Sequence, residues 1–198
     1  MSNITDPERF KDAIARMDAA NAEDPNREAV EGVEVPKELL YSRRMTEWLE
    51  RFDPEASEVL QLAVRAQHIR RWVIPRRDYP MDRAGYKKWR TDLGRFHATT
   101  AAEFLERAGY DEETIERVGK LLRKEKLKLD PEVQCLEDVA CLVFLDAYAD
   151  DFAQSHDDEK MIRILRKTWV KMSDKGHAAA LTIPLSERLA ALVTKALA

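Results

Sequence analysis

Apolar side chains along this chain recur at intervals of three and four residues, which is the spacing of one face of an α-helix. Acidic residues followed by proline are typical of helix starts and occur at Asp6-Pro7, Asp53-Pro54 and Asp130-Pro131. No stretch alternates apolar and polar residues as a half-buried strand does. The pattern therefore predicts an all-α protein, a compact single-domain helical bundle of about seven or eight helices.

The start and stop signals predict a short N-terminal segment followed by one larger domain. Residues 1–35 contain a helix that begins at Pro7 and then an acidic, loop-like stretch, so this segment is predicted to be a peripheral arm. Residues 36–198 are predicted to form the helical domain.

The amino-acid composition mainly excludes classes of protein. Of the 198 residues, 44% are hydrophobic and 35% are charged, which is enough apolar material for a folded core. No apolar run reaches the length of a membrane span, and the N-terminus has no secretory pattern. Cys135 and Cys141 would lie about 9 Å apart along a helix, too far for a disulfide. Free thiols are typical of a reducing compartment, so we expect a cytoplasmic protein.

Positive charge is concentrated in one part of the chain. Ten Lys and Arg stand against three Asp between Arg65 and Arg95, so this basic segment carries +7 and leaves −11 for the rest of a chain of net charge −4. Such an island favours an anion site over bulk nucleic-acid binding. A solvated charged face with aromatic core anchors is the alternative. The predicted anion-binding residues are Arg70, Arg71, Arg76, Arg77, Arg83 and Arg90.

Two histidines lie on predicted apolar helix faces. The helix from Pro54 is expected to end only before Pro75, which places His68 in one stripe with Leu60 and Val64. His97 has apolar neighbours at helical spacing on the next long helix. Either ring is a hydrogen-bonded core histidine or, because both face inward, part of a metal or catalytic site between helices.

A pair of carboxylates, Glu137 and Asp138, interrupts the most apolar predicted helix. A buried charge needs a partner because leaving it unpaired costs several kcal/mol. Either an arginine of the basic segment or a metal ion would supply that partner.

The string AQHIRRW…IPRRDYPMDRAGYKKWR…FHATTAAEFLERAGY…LEDVACLVFLD resembles the domain-of-unknown-function 4202 family. The resemblance covers the chain from about Leu40 to the end and implies no assigned activity.

More distantly, the layout resembles the HD superfamily of all-helical metal-dependent phosphohydrolases. That pattern of a His, a His-Asp dyad and a distal Asp would match His68, His97 and Asp138, although Ala98 stands where the dyad has Asp. The resemblance implies an HD-like fold in which these residues, with Glu137, hold a metal.

Two classes of function follow. In the first, His68, His97 and Asp138 hold one divalent ion (Zn, Mn, Fe or Mg) that activates water to hydrolyse a small phosphorylated or nucleotide substrate. In the second, a non-catalytic helical module binds a nucleotide or another small anion through an Arg-rich pocket, and the same residues form a buried hydrogen-bond network. A third possibility is a purely structural helical protein. Neither a membrane nor a nucleic acid is expected as partner.

Overall fold

The computed structural model describes residues 3–198, which form ten α-helices, one two-stranded antiparallel hairpin and two 3-10 turns. The predicted helical class is confirmed. None of the helices in this range is both long and apolar enough to cross a membrane. The helices are α1 (Pro7–Ala22), α2 (Lys37–Phe52), α3 (Glu58–Ala66), α4 (Arg83–Arg107), α5 (Glu112–Leu122), α6 (Pro131–Ala147), α7 (Ala149–Gln154), α8 (Asp158–Lys171), α9 (Asp174–Ala180) and α10 (Glu187–Leu197).

The chain divides into two compact units. The first extends to Val133, and the second comprises Gln134–Ala198. The first unit contains α1 to α5, with α5 packed on α4. In the second unit, α10 packs on α8, and α7 packs on both.

The stretch expected to be an acidic loop contains a β-hairpin instead. Strands β1 (Arg27–Val30) and β2 (Val33–Pro36) pair antiparallel, with Val30 opposite Val33. Glu31 and Gly32 both have positive φ, 50° and 80°, which is the backbone of a two-residue turn that suits the twist of a hairpin. Four-residue strands with exposed charged positions are too short to show a strand period in the sequence.

Helix α1 is part of the core of the first unit. It contacts α2, α3 and α4, and the side chains of Ala13 and Met17 are fully buried. Asp6 caps the helix by accepting hydrogen bonds from the backbone N–H groups of Glu8 and Arg9. The segment predicted to be a peripheral arm therefore supplies core side chains.

Helix α3 is shorter at both ends than the sequence predicts. Ser57, not Asp53, is its N-cap, and the helix ends at Ala66. Arg70 then adopts a left-handed backbone with φ +50°, where its N–H donates to the side chain of Asn21. This turn stops the helix, so His68 lies just beyond the helix and not on its face.

The basic segment continues through two 3-10 turns, Arg71–Val73 and Arg76–Asp78, into α4. The guanidinium of Arg76 donates to the backbone carbonyls of Tyr79 and Pro80 and so closes this loop. Gly85 permits the close approach of the loop to α4, because a Cβ there would lie 2.1 Å from the carbonyl oxygen of Pro80. The loop is thus held in place before α4 carries the chain to His97.

Candidate functional site

A cavity of about 390 Å³ lies in the first unit, and both histidines of the sequence prediction line it. We call it the histidine cavity. Its walls come from the turn after α3, the middle of α4 and the end of α5. The lining residues are Gln67, His68, Arg90, Thr91, Leu93, Gly94, Arg95, His97, Leu122, Arg123 and Lys124.

His97 is a buried, neutral imidazole on α4. Its Nδ1 lies 2.9 Å from the backbone oxygen of Ile69, and because a carbonyl can only accept, Nδ1 carries the proton. The unprotonated Nε2 is buried and has no hydrogen-bond partner. Burial, and then the neighbouring His68, lower the pKa of His97 to about 3. The ring therefore offers one uncommitted acceptor at neutral pH.

His68 is fixed by two contacts from helix α2. The ring stacks on Tyr41 with centroids 3.9 Å apart and planes 14° apart. Its Nδ1 lies 3.3 Å from Oε2 of Glu38, a carboxylate that is itself buried. Burial lowers the pKa of His68 well below its usual value, and the charges of Arg71 and Arg90 lower it further. The structure brings the two histidines together, with ring centroids 6.0 Å apart.

Apart from the two histidines, the ionisable side chains of the cavity lining are cations. Arg90 and Arg95 reach the cavity from α4, and Arg123 and Lys124 reach it from the end of α5. Arg123 is partly neutralised by ion pairs with Glu116 and Glu125, at 3.0 and 2.6 Å. No carboxylate belongs to the cavity lining.

Helix α5 ends in an unusual way at this cavity. Lys124 has φ +55°, a left-handed conformation that lysine rarely adopts, and its N–H donates to the backbone oxygen of Leu121. Glycine is the common residue at this position of a helix end. The strained backbone directs a lysine, and not a glycine, to the cavity.

Only Arg90 of the six predicted anion-binding arginines lines the cavity. Arg70 pairs with Glu23, and Arg76 holds the loop described above. Arg71 lies over the ring of Trp89, 5.2 Å from its centroid, and 3.9 Å from Glu38. Arg77 and Arg83 are exposed.

The predicted carboxylates lie in the second unit, where local contacts account for both. Oδ1 of Asp138 accepts from the backbone N–H of Ser173 and from Gln134, and Oδ2 accepts from the hydroxyl of Ser173. Glu137 is paired with Lys171 at 3.3 Å. Asp138 therefore holds the start of α9, and Lys171 of α8 is a cationic partner of Glu137.

Asp138 also explains the glycine at position 176. A Cβ at Gly176 would lie 2.6 Å from Oδ1 of Asp138, closer than a methyl group can approach an oxygen.

The remaining two histidines of the chain are also in this unit. His156 stacks on Phe152 and His177 stacks on Trp169, each with centroids 4.0 Å apart.

Within residues 3–198, no group of three or more His, Cys, Asp or Glu side chains is arranged to hold a metal ion. Two imidazoles and one carboxylate, Glu38, come together in the first unit, but Glu38 touches His68 at Nδ1 and is not part of the cavity lining. The predicted metal set of His68, His97, Asp138 and Glu137 stays a prediction.

The comparison with known families matches residues 11–193 to the family described as Domain of unknown function (DUF4202). The chain belongs to this family. The match covers the histidine cavity and both units of the DUF4202 chain, and it confirms the family resemblance seen in the sequence. No curated protein and no solved structure matches the chain.

Sequence reasoning missed Glu38, Arg95, Arg123 and Lys124. A signal for Glu38 was present, because Glu38, Tyr41, Met45 and Leu49 share one buried helical face at intervals of three and four residues. The cations at the end of α5 carry no such signal, since their place at the cavity depends on how α5 packs against α4.

Proposed function

We propose that the DUF4202 chain binds a small phosphate-bearing anion in the histidine cavity. The observation that carries this proposal is the lining itself, which contains four cations and two neutral imidazoles but no carboxylate. Guanidinium groups donate two parallel hydrogen bonds to phosphate oxygens, and a lysine adds a compact positive charge. A nucleotide, or another small phosphorylated molecule, is the ligand class that fits.

The electrostatic setting of His68 supports the same conclusion. Burial is the largest cause of the lowered pKa of His68, and the positive charges of Arg71, Arg90 and Lys124 lower it further. The positive charges of these three side chains, unlike the burial, also favour an anion beside His68.

The metal-dependent phosphohydrolase is the second candidate, and one observation favours it. Nε2 of His97 is a buried lone pair without a partner, and such a nitrogen is a good ligand for Zn or Mn. The HD-like resemblance would supply that chemistry. Because no described group of three ligands accompanies His97, anion binding is the better supported proposal.

The test is calorimetric titration of the full chain with inorganic pyrophosphate at fixed ionic strength. We expect saturable binding to the wild type and a loss of about tenfold or more in affinity for Arg90→Gln, because a hydrogen bond to a charged group contributes about 1.5–3 kcal/mol. Arg83→Gln is the matched control, since it removes the same charge from an exposed residue outside the cavity lining.

Equal weakening by Arg83→Gln would mean a diffuse charge effect and would contradict a cavity site. Absence of any saturable binding would overturn the proposal as well. Binding that EDTA abolishes and Zn or Mn restores would instead favour the metal-dependent hydrolase.

A further inference from the structure

His68 differs from the other histidines in having a carboxylate at one ring nitrogen and a cavity beside the ring. Nδ1 is buried and lies 3.3 Å from Oε2 of Glu38, within ion-pair distance but without the geometry of a hydrogen bond. The side chain keeps 14% of its surface exposed, and His68 belongs to the lining of the histidine cavity. The nitrogen left for a ligand is therefore Nε2.

The orientation of the ring is fixed from outside the cavity. Tyr41 covers one face of the imidazole, and Glu38 lies at its Nδ1 edge. Both come from the first two turns of α2, so a single helix sets the position and the tilt of the ring. Carboxylate–imidazole pairs of this kind hold a histidine in one tautomer and stabilise the positive charge that the ring acquires when its other nitrogen reacts. Such contacts are often long before a ligand binds.

We infer that Nε2 of His68 is a nucleophile that takes up a phosphoryl group in the histidine cavity, with Glu38 as its positioning residue. This inference rests on the proposed anion binding, because the cavity cations would hold the phosphoryl oxygens. The phosphoryl donor is an acyl phosphate, a phosphoramidate or a phosphoric anhydride.

The step balances without an oxidant or a reductant. With an acyl phosphate, the Nε2 lone pair forms the N–P bond while the P–O bond to the acyl group breaks, and the acyl group leaves as a carboxylate. Nδ1 keeps its proton, and Glu38 stabilises the resulting positive ring. Water then attacks phosphorus, the N–P bond breaks, and inorganic phosphate is released with the free imidazole restored.

The experiment treats the full chain with acetyl phosphate or with phosphoramidate and follows the mass of the intact protein. We expect one phosphoryl group per chain that is lost in mild acid, as an N–P bond is. Tandem mass spectrometry of the wild-type protein should place the group on His68. A label on any other residue, or no label on a protein that binds pyrophosphate, overturns the inference and leaves the proposed function intact.

Substitutions of His68 and Glu38 distinguish a chemical role of these residues from a structural role. His68→Gln should abolish labelling while its circular dichroism spectrum keeps the wild-type helical content, and His156→Gln, in the second unit, should label like the wild type. Glu38→Gln should lower the maximal labelling rate roughly ten- to a hundredfold. The donor concentration at half-maximal rate should stay within about twofold, and Glu38→Asp should restore part of the rate. An unchanged rate for Glu38→Gln would remove Glu38 from the inference.

Discussion

The buried imidazole of His97 couples the stability of the protein to pH. Its pKa is about 3 in the folded chain, far below the usual value of 6.5, because burial disfavours the charged ring. The pKa of His68, which lies beside Glu38 and Arg71, is lowered as well. A ring with a lowered pKa binds its proton more weakly when folded than when unfolded, so acid favours the unfolded chain.

We therefore predict that the free energy of unfolding falls as pH drops below about 6.5, by up to about 1.4 kcal/mol per pH unit for each of the two histidines. Denaturant titrations between about pH 7 and about pH 5 measure this slope above the range where most carboxylates titrate. His97→Gln removes one titrating group and should reduce the slope. An unchanged slope in that variant would contradict the prediction.

At this scale the sequence predicted which residues are buried more successfully than what they contact. The apolar surroundings of His97 and Asp138 marked both as inward-facing, and both are buried. Their partners, the carbonyl of Ile69 and the hydroxyl of Ser173, are common groups that many positions supply. Choosing among them requires the three-dimensional path of the chain.

Some helix ends are set by neighbouring residues, and others are set by residues that are distant in the chain. Asp6 caps α1 where the Asp-Pro pair predicts a helix start, because a cap needs only neighbouring residues. Asp82, Asp111 and Asp157 cap α4, α5 and α8 in the same local way. The end of α3 was predicted too late, since its stop depends on a bond from Arg70 to Asn21, 49 residues away in the chain. The α9 start likewise depends on Asp138, on a different helix.

The link between α6 and α9 leads to a test of Asp138. In Asp138→Asn the amide nitrogen cannot accept, so one of the three hydrogen bonds from Ser173 and Gln134 is lost inside the unit. We expect a loss of about 1–3 kcal/mol in stability and a thermal midpoint lower by several degrees, with or without chelator. Asp151→Asn, at an exposed position of α7 in the same unit, is the control and should change little. A chelator-dependent midpoint would point to a metal at Asp138 instead.

The end of α5 leads to a second test, in which stability and binding change in opposite directions. Lys124→Gly should relieve the left-handed backbone and stabilise the protein by up to about 1 kcal/mol, while weakening pyrophosphate binding because a cavity cation is lost. Lys126 has φ +57° and is exposed outside the cavity lining, so Lys126→Gly should give the stability gain alone. Melting curves and calorimetry on both variants measure the two effects. Weaker binding in both variants would show that the charge of the α5 end acts non-specifically.

For the whole molecule, the sequence predicted the helical class of the fold but not the division of the chain into two compact units. The three- and four-residue spacing identifies helices wherever one face is buried, and this accounts for the long helices of both units. It gives no sign of the boundary after Val133, because that boundary falls inside α6 and has no linker to mark it. The histidine cavity is built from three segments of the first unit, so the sequence identified its two histidines and one of its four cations.

The stacked histidines have a consequence for spectroscopy. Of the four histidines, His68, His156 and His177 lie face to face with an aromatic ring, whereas His97 meets the edge of Phe96, with planes 60° apart. Ring currents shift the proton resonances of a stacked imidazole upfield, and each of the three stacks has a different aromatic partner. The imidazole signals in a proton NMR spectrum should therefore be dispersed and assignable by single substitutions. Ligand binding or phosphorylation at His68 can then be followed on the unlabelled protein, one histidine at a time.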